Sequence, residues 1–278
     1  MLIVCNISLL SAQESTTPAY ASNITTEPTA LVSNSTSYAK APVTRKAVAT
    51  KKSFFRFGER VVALAKHTTA VDQPYVLLSL HNDEYTASEA ARKFITEQGG
   101  SYLELLNNNE RNIDFSLFDK QMTVDPNNIF TPKGRWSDLA ANQKTDHIIS
   151  QQLNEFAKFI IDEIPVEKAI LSLHNNIANA NTIDLYTKGT YSGKNAHLVY
   201  QNPEMDSNDY IVTTDKAIFE KLKEKKISVV FQPYSAKDNG SLSVFCAKTK
   251  RTYIGIETQS GHAIEQEQLI EAVAEILK

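Results

Sequence analysis

"YVLLSLHNDEYTASEAA", Tyr75 to Ala91, runs five apolar residues and a serine straight into a histidine. A short, nearly continuous apolar run is the pattern of a strand buried on both faces. Glu84 follows His81 by three positions, and "TASEAARKFITEQGG" (86–100) then reads as a helix. Thr86 and Glu89 have capping-box spacing, and Gly99-Gly100 closes the segment. A strand that ends on an imidazole and a carboxylate three apart suggests a metal site, or else a polar loop without chemistry.

The pattern recurs downstream. "KAILSL" (168–173) is a second buried-type strand and also runs into a histidine, His174. "SLHN" occupies 79–82 and again 172–175, each time after a leucine. Further strands are expected at "SYLELL" (101–106), "HLVYQ" (197–201), "DYIVTT" (209–214), "ISVVFQ" (227–232), "LSVFCA" (242–247) and "TYIGIET" (252–258). Residues 112–124 suggest a hairpin, and helical spacing marks 146–164, 215–225 and about 263–277. The alternation predicts an α/β fold: one mixed, largely parallel central sheet with helices on both faces.

Composition narrows the function. The chain has 278 residues, 42% of them hydrophobic, enough for one sizeable core. A formal charge of −3 gives no basic field for nucleic acid. No apolar run reaches the ~18 residues of a membrane span. "MLIVCNISLLSA" (1–12) reads as a shortened signal peptide lacking its positively charged start, with cleavage after Ala12. Residues 13–52 are rich in Ser, Thr, Ala and Pro and read as a disordered linker, leaving 53–278 as the catalytic domain. Asn23 and Asn34 fit the glycosylation pattern. Once the leader is removed Cys246 is the one cysteine left, so no internal disulfide is expected; in "SLSVFCAK" it reads as a small buried hydrophobe on a strand. This organisation predicts export to the periplasm or the extracellular space.

In open α/β sheets ligands sit at the carboxyl ends of strands. Three such ends carry reactive side chains: His81 and Glu84, then His174, then Glu257 in "YIGIETQSGH". Two imidazoles and a carboxylate with an open fourth position form a catalytic zinc site, where water ionises at about pH 7. Glu257 is the expected general base, passing the water's proton to a leaving amine. His67 follows a helix-like segment, His147 begins a helix and His197 opens a strand, whereas His262 follows the last strand and could line the site. No G-x-S-x-G elbow supports a serine hydrolase.

The order His-x-x-Glu, histidine 90 residues on, then glutamate on a late strand resembles the zinc carboxypeptidase superfamily. The branch most similar is that of succinylglutamate desuccinylase and aspartoacylase. Its "G-x-H-G-N-E" loop corresponds to "S-L-H-N-D-E" here, its "D-L-H" to "S-L-H", and its "D-L-N-R-x-F" to "DPNNIF" (125–130). The resemblance spans about residues 70 to 260. It implies a carboxypeptidase-like α/β fold, one zinc ion held by His81, Glu84 and His174, and hydrolysis of an amide bond in a small peptide, an acylated amino acid or a cell-wall peptide. One departure matters. The family's Asn-Arg pair, which binds a substrate carboxylate, is Asn127-Asn128 here. Asparagine cannot supply the charged fork of a guanidinium, though it suits a neutral group. Arg111 or Arg135 is expected to replace the fork beside Asn127, and Lys120 stands where the family often has an oxyanion-stabilising arginine. The missing arginine also leaves open a carboxypeptidase-like binding protein for peptides or glycans, weak or inactive in catalysis.

Overall fold

The computed structural model describes residues 44–143, 145–187 and 196–278. The leader-like start and the linker as far as residue 43 lie outside the described residues. The described strands are β1 (Ala49–Phe57), β2 (Arg60–Thr68), β3 (Tyr75–Ser79), β4 (Ser101–Leu106), β5 (Ile113–Leu117), β6 (Lys120–Val124), β7 (Ala169–Asn176), β8 (Leu198–Tyr200), β9 (Tyr210–Thr213), β10 (Val229–Phe231) and β11 (Tyr253–Gln259). The helices are α1 (Tyr85–Gln98), α2 (Pro132–Ala141), α3 (His147–Ile161), α4 (Lys216–Glu224), α5 (Leu242–Thr249) and α6 (Ala263–Leu277). None of them is long and apolar enough to cross a membrane.

Nine strands form one mixed sheet in the order β1-β2-β4-β3-β7-β11-β9-β10-β8, and β5-β6 is a separate hairpin. The centre, β4-β3-β7-β11, is parallel throughout. Burial on both faces explains the apolar runs: Val76, Leu78 and Leu80 point into one core layer, Tyr75 and Leu77 into the other. The first layer packs against α2, α3 and α5, the second against α1, α4 and α6. The sheet therefore carries helices on both faces, as the alternation of elements predicts.

Several local expectations are corrected. β1 begins at Ala49, so residues 49–52 pair with 65–68 although their composition resembles a linker. His67 lies in β2, not beyond a helix, stacked on Tyr102 and 3.4 Å from Glu104. "LSVFCA" forms α5, because the Ser241 hydroxyl caps the first turn through Val244 N at 3.4 Å. Cys246 is buried as expected, but on that helix. α1 starts one residue before Thr86, whose hydroxyl accepts from Gly261 N at 2.9 Å rather than forming a capping box. α2 is a helix that the spacing does not announce, with Pro132 in its first turn and Thr131 accepting from Gly134 N at 3.2 Å.

α2 and the loop before α5 meet through two glycines. A Cβ on Gly134 would lie 2.1 Å from Asn128 O and 2.2 Å from the Gly240 Cα. A Cβ on Gly240 (φ +90°) would meet the same Asn128 oxygen at 2.1 Å. Phe130 N donates to Gly240 O at 3.0 Å, so the contact clamps the "DPNNIF" loop. Alanine normally favours a helix over glycine by about 1 kcal/mol. Here Gly134→Ala should instead destabilise the protein by about 1–3 kcal/mol through overpacking. Gly240→Ala should do so too, and urea unfolding of the two variants measures both effects.

Candidate metal centre

The parallel register sets the site. Glu257 on β11 lies directly across from His174 on β7, and Leu78 on β3 pairs with Ser172. The three strands therefore release His81, His174 and Glu257 at one edge of the sheet. α1 starts immediately after Glu84, and Ala87 N in its first turn donates to Asn175 Oδ1 at 2.8 Å. The residue after His174 thus pins the helix that follows Glu84.

His81, Glu84 and His174 are buried, and their candidate ligand atoms all lie within 4.8 Å of one another. His81 Nδ1 is 2.9 Å from Glu84 Oε1, and His174 Nδ1 is 3.4 Å from Glu84 Oε2. The outer ring nitrogens have their own partners: His81 Nε2 with Asp125 at 2.9 Å, His174 Nε2 with the Ser172 hydroxyl at 2.9 Å. Such outer partners orient imidazoles toward a metal. Glu84 Oε2 is buried without a hydrogen bond of normal length. Two imidazole nitrogens, one carboxylate and that under-satisfied oxygen fit a zinc ion, with His81, Glu84 and His174 to hold it.

Electrostatics follow from the packing. Burial by itself would raise the Glu84 carboxyl; His174 and His81 outweigh it and hold the group well below the usual carboxylate range. Burial likewise opposes a charged His81, but Asp125 and Glu84 raise it to about 9. The Glu257 carboxyl is pushed up by burial, and its Oε2 accepts from Asn181 at 3.3 Å.

A cavity of about 440 Å³ opens over this cluster and is also lined by Arg111, Asn127 and Glu257. Arg111 donates to Glu84 Oε1 at 2.7 Å. Asn127 N–H donates to Asp125 Oδ1 at 2.7 Å, and its side-chain oxygen accepts from Leu242 N. Two expected residues are elsewhere. Lys120 is 2.7 Å from Asp146 at the start of α3 and does not line the cavity. Arg135 is 7% exposed and donates to the Ile129 carbonyl at 2.8 Å, bracing the "DPNNIF" loop from behind. His262 turns from the cluster to Asp209, 2.8 Å away. Asp125 and Asn181 were not expected as contributors. Asp125 stands in the quoted motif, yet only tertiary contact reveals its imidazole partner, and nothing in the local sequence marks Asn181.

No family model matches the sequence, and no curated protein matches it. Solved structures do match. An aspartoacylase family protein from Mesorhizobium loti covers 85% of this chain and 68% of its own, at 13% identity and a TM-score of 0.47. A succinylglutamate desuccinylase/aspartoacylase from Rhodobacter sphaeroides covers 86% and 68%, at 13% identity and 0.43. The Legionella pneumophila LapA aminopeptidase covers 82% and 58%, at 12% identity and 0.35.

If the cluster holds a metal ion, Asp125→Ala should weaken the uptake of added zinc by about 10–100-fold, whereas Lys120→Ala should leave it unchanged. Competition with a chromophoric chelator measures both. The His262 pKa is raised, chiefly by its hydrogen bond to Asp209. Its stabilisation is therefore full below the unfolded pKa of about 6.5 and fades as pH rises through the higher folded value. The Tm gap between wild type and His262→Gln should be wider at pH 6 than at pH 9.

Proposed function

We propose that the chain is a zinc-dependent hydrolase of amide bonds, of carboxypeptidase or deacylase type. The observation that carries this reading is the buried His81–Glu84–His174 cluster facing the same cavity as Glu257. A zinc ion held there supplies a Lewis acid and a water that ionises near neutrality. Glu257 takes a proton from water in the cavity and delivers it to the leaving nitrogen. Its pKa, raised by burial, suits a group that must both accept and return a proton. Asp125 and Ser172 hold the two imidazoles in orientation through their outer nitrogens. Arg111, beside Glu84, offers N–H groups to the carbonyl oxygen as negative charge builds on it. Lys120, tied to Asp146, has no part in this scheme.

The leader-like start and the linker composition support a place outside the cytoplasm, with a small peptide, an acylated amino acid or a cell-wall peptide as substrate. One observation favours a binding protein instead: Arg111 already supplies Glu84 with a positive partner at 2.7 Å. Metal content separates the two. The hydrolase should purify with, or take up, one zinc per chain, and His174→Ala should lose it. Glu257→Gln should keep the zinc while turnover of acetylated peptides falls by about 10² or more. Equal, substoichiometric zinc in wild type and His174→Ala would leave the binding protein as the answer.

A further inference from the structure

A second, smaller cavity of about 150 Å³ adjoins the first and shares Asn127, His174 and Glu257 with it. Its other walls are Asn128, Gln232, Asn239, Ser241, Ser243 and neighbouring tyrosine and aliphatic positions. Because it shares Glu257 and His174 with the first cavity, it opens beside the groups that would do the chemistry. We propose that this pocket receives an uncharged carboxamide of the substrate, where the resembled family binds a carboxylate. The proposal rests on the hydrolase reading and names its substrate class.

Three observations carry it. Among the described residues that line the pocket there is no lysine or arginine, and the one carboxylate is Glu257. The candidate cations lie elsewhere: Arg111 on Glu84, Lys120 on Asp146, Arg135 on the Ile129 carbonyl. Among the side chains of the pocket wall, a substrate carboxylate would face Glu257 and find no lysine or arginine to pair with, His174 being turned to the metal cluster.

Gln232 is 3% exposed, and its side-chain oxygen is buried without a hydrogen-bond partner. Native proteins rarely leave such an acceptor unmet, and it calls for an N–H or O–H donor. An ionised carboxylate has none, whereas a carboxamide brings two N–H groups and a carbonyl. The carbonyl can be met by the hydroxyl and amide donors of the same wall.

Three backbone N–H groups around the start of α5, which could otherwise attract an anion, already have partners. Ser241 N donates to Asn239 Oδ1 at 3.1 Å, Leu242 N to Asn127 Oδ1 at 3.1 Å, and Val244 N to Ser241 Oγ at 3.4 Å. These three N–H groups are therefore not free to hold a carboxylate.

The test uses the full zinc-loaded chain and matched probes. Acetylated dipeptides are compared as free acid and carboxamide, at the terminus and at the side chain next to the scissile bond. The products, amino acids and their amides, are titrated by calorimetry, which needs no turnover. The carboxamide member should win by about tenfold or more in kcat/KM and in product Kd. Gln232→Met, which removes the acceptor at similar volume, should erase the preference; Ser243→Ala, at a less buried position, should reduce it even if the Gln232 variant fails to fold. Equal or acid-favoured values, or no measurable binding of either product, would overturn the pocket assignment. Amide-selective product binding without any turnover would overturn the hydrolase reading and leave the pocket standing.

Discussion

Glu84 is a carboxylate almost wholly withdrawn from water at the floor of the cavity, and its neighbourhood is organised around that fact. A buried charge persists only when paired and hydrogen-bonded. His81 arrives from three residues earlier, His174 from β7 and Arg111 from the loop after β4. Asp125 balances the far side of His81. Both carboxylates favour a positive charge on His81, and the Arg111 guanidinium adds another beside Glu84. A bound cation would supply the same positive charge and require neutral imidazoles in return, so metal and proton compete for one set of atoms.

The strand order turns this local pairing into a reaction cavity. β3, β7 and β11 run parallel side by side, so their carboxyl ends open on one edge. Register places Glu257 against His174, and Asn175 ties the start of α1 to β7. The opposite wall depends on a different device. The close approach of Gly134 and Gly240 holds the "DPNNIF" loop, and with it Asn127 and Asn128, against the start of α5.

The two "SLHN" stretches show how equal sequence takes on unequal work. Ser172 meets the outer nitrogen of its own histidine, whereas that place beside His81 belongs to Asp125, 44 residues away. Asn175 caps α1, whereas Asn82 accepts from Asn107 N and Asn109 N and so shapes the loop that carries Arg111. A repeated strand end supplies the imidazoles; different surroundings set their orientation.

From the sequence by itself came the sheet with helices on both faces, and the cluster of His81, Glu84 and His174 facing the cavity that Glu257 lines. Both rest on short-range patterns: unbroken apolar runs mark strands buried on two faces, and their ends mark one edge of a parallel sheet. Local pattern misled where an apolar residue stood at alternate positions of a capped helix, as in α5, and it missed the charged outer hairpin β1-β2. It could not rank Arg111, Lys120 and Arg135, three cations within one short segment around the motif. Only the tertiary structure decided among them, by setting Arg111 on Glu84, Lys120 on Asp146 and Arg135 behind the Ile129 carbonyl. A long cationic side chain goes to the partner that folding brings within reach, and spacing along the chain does not encode that partner.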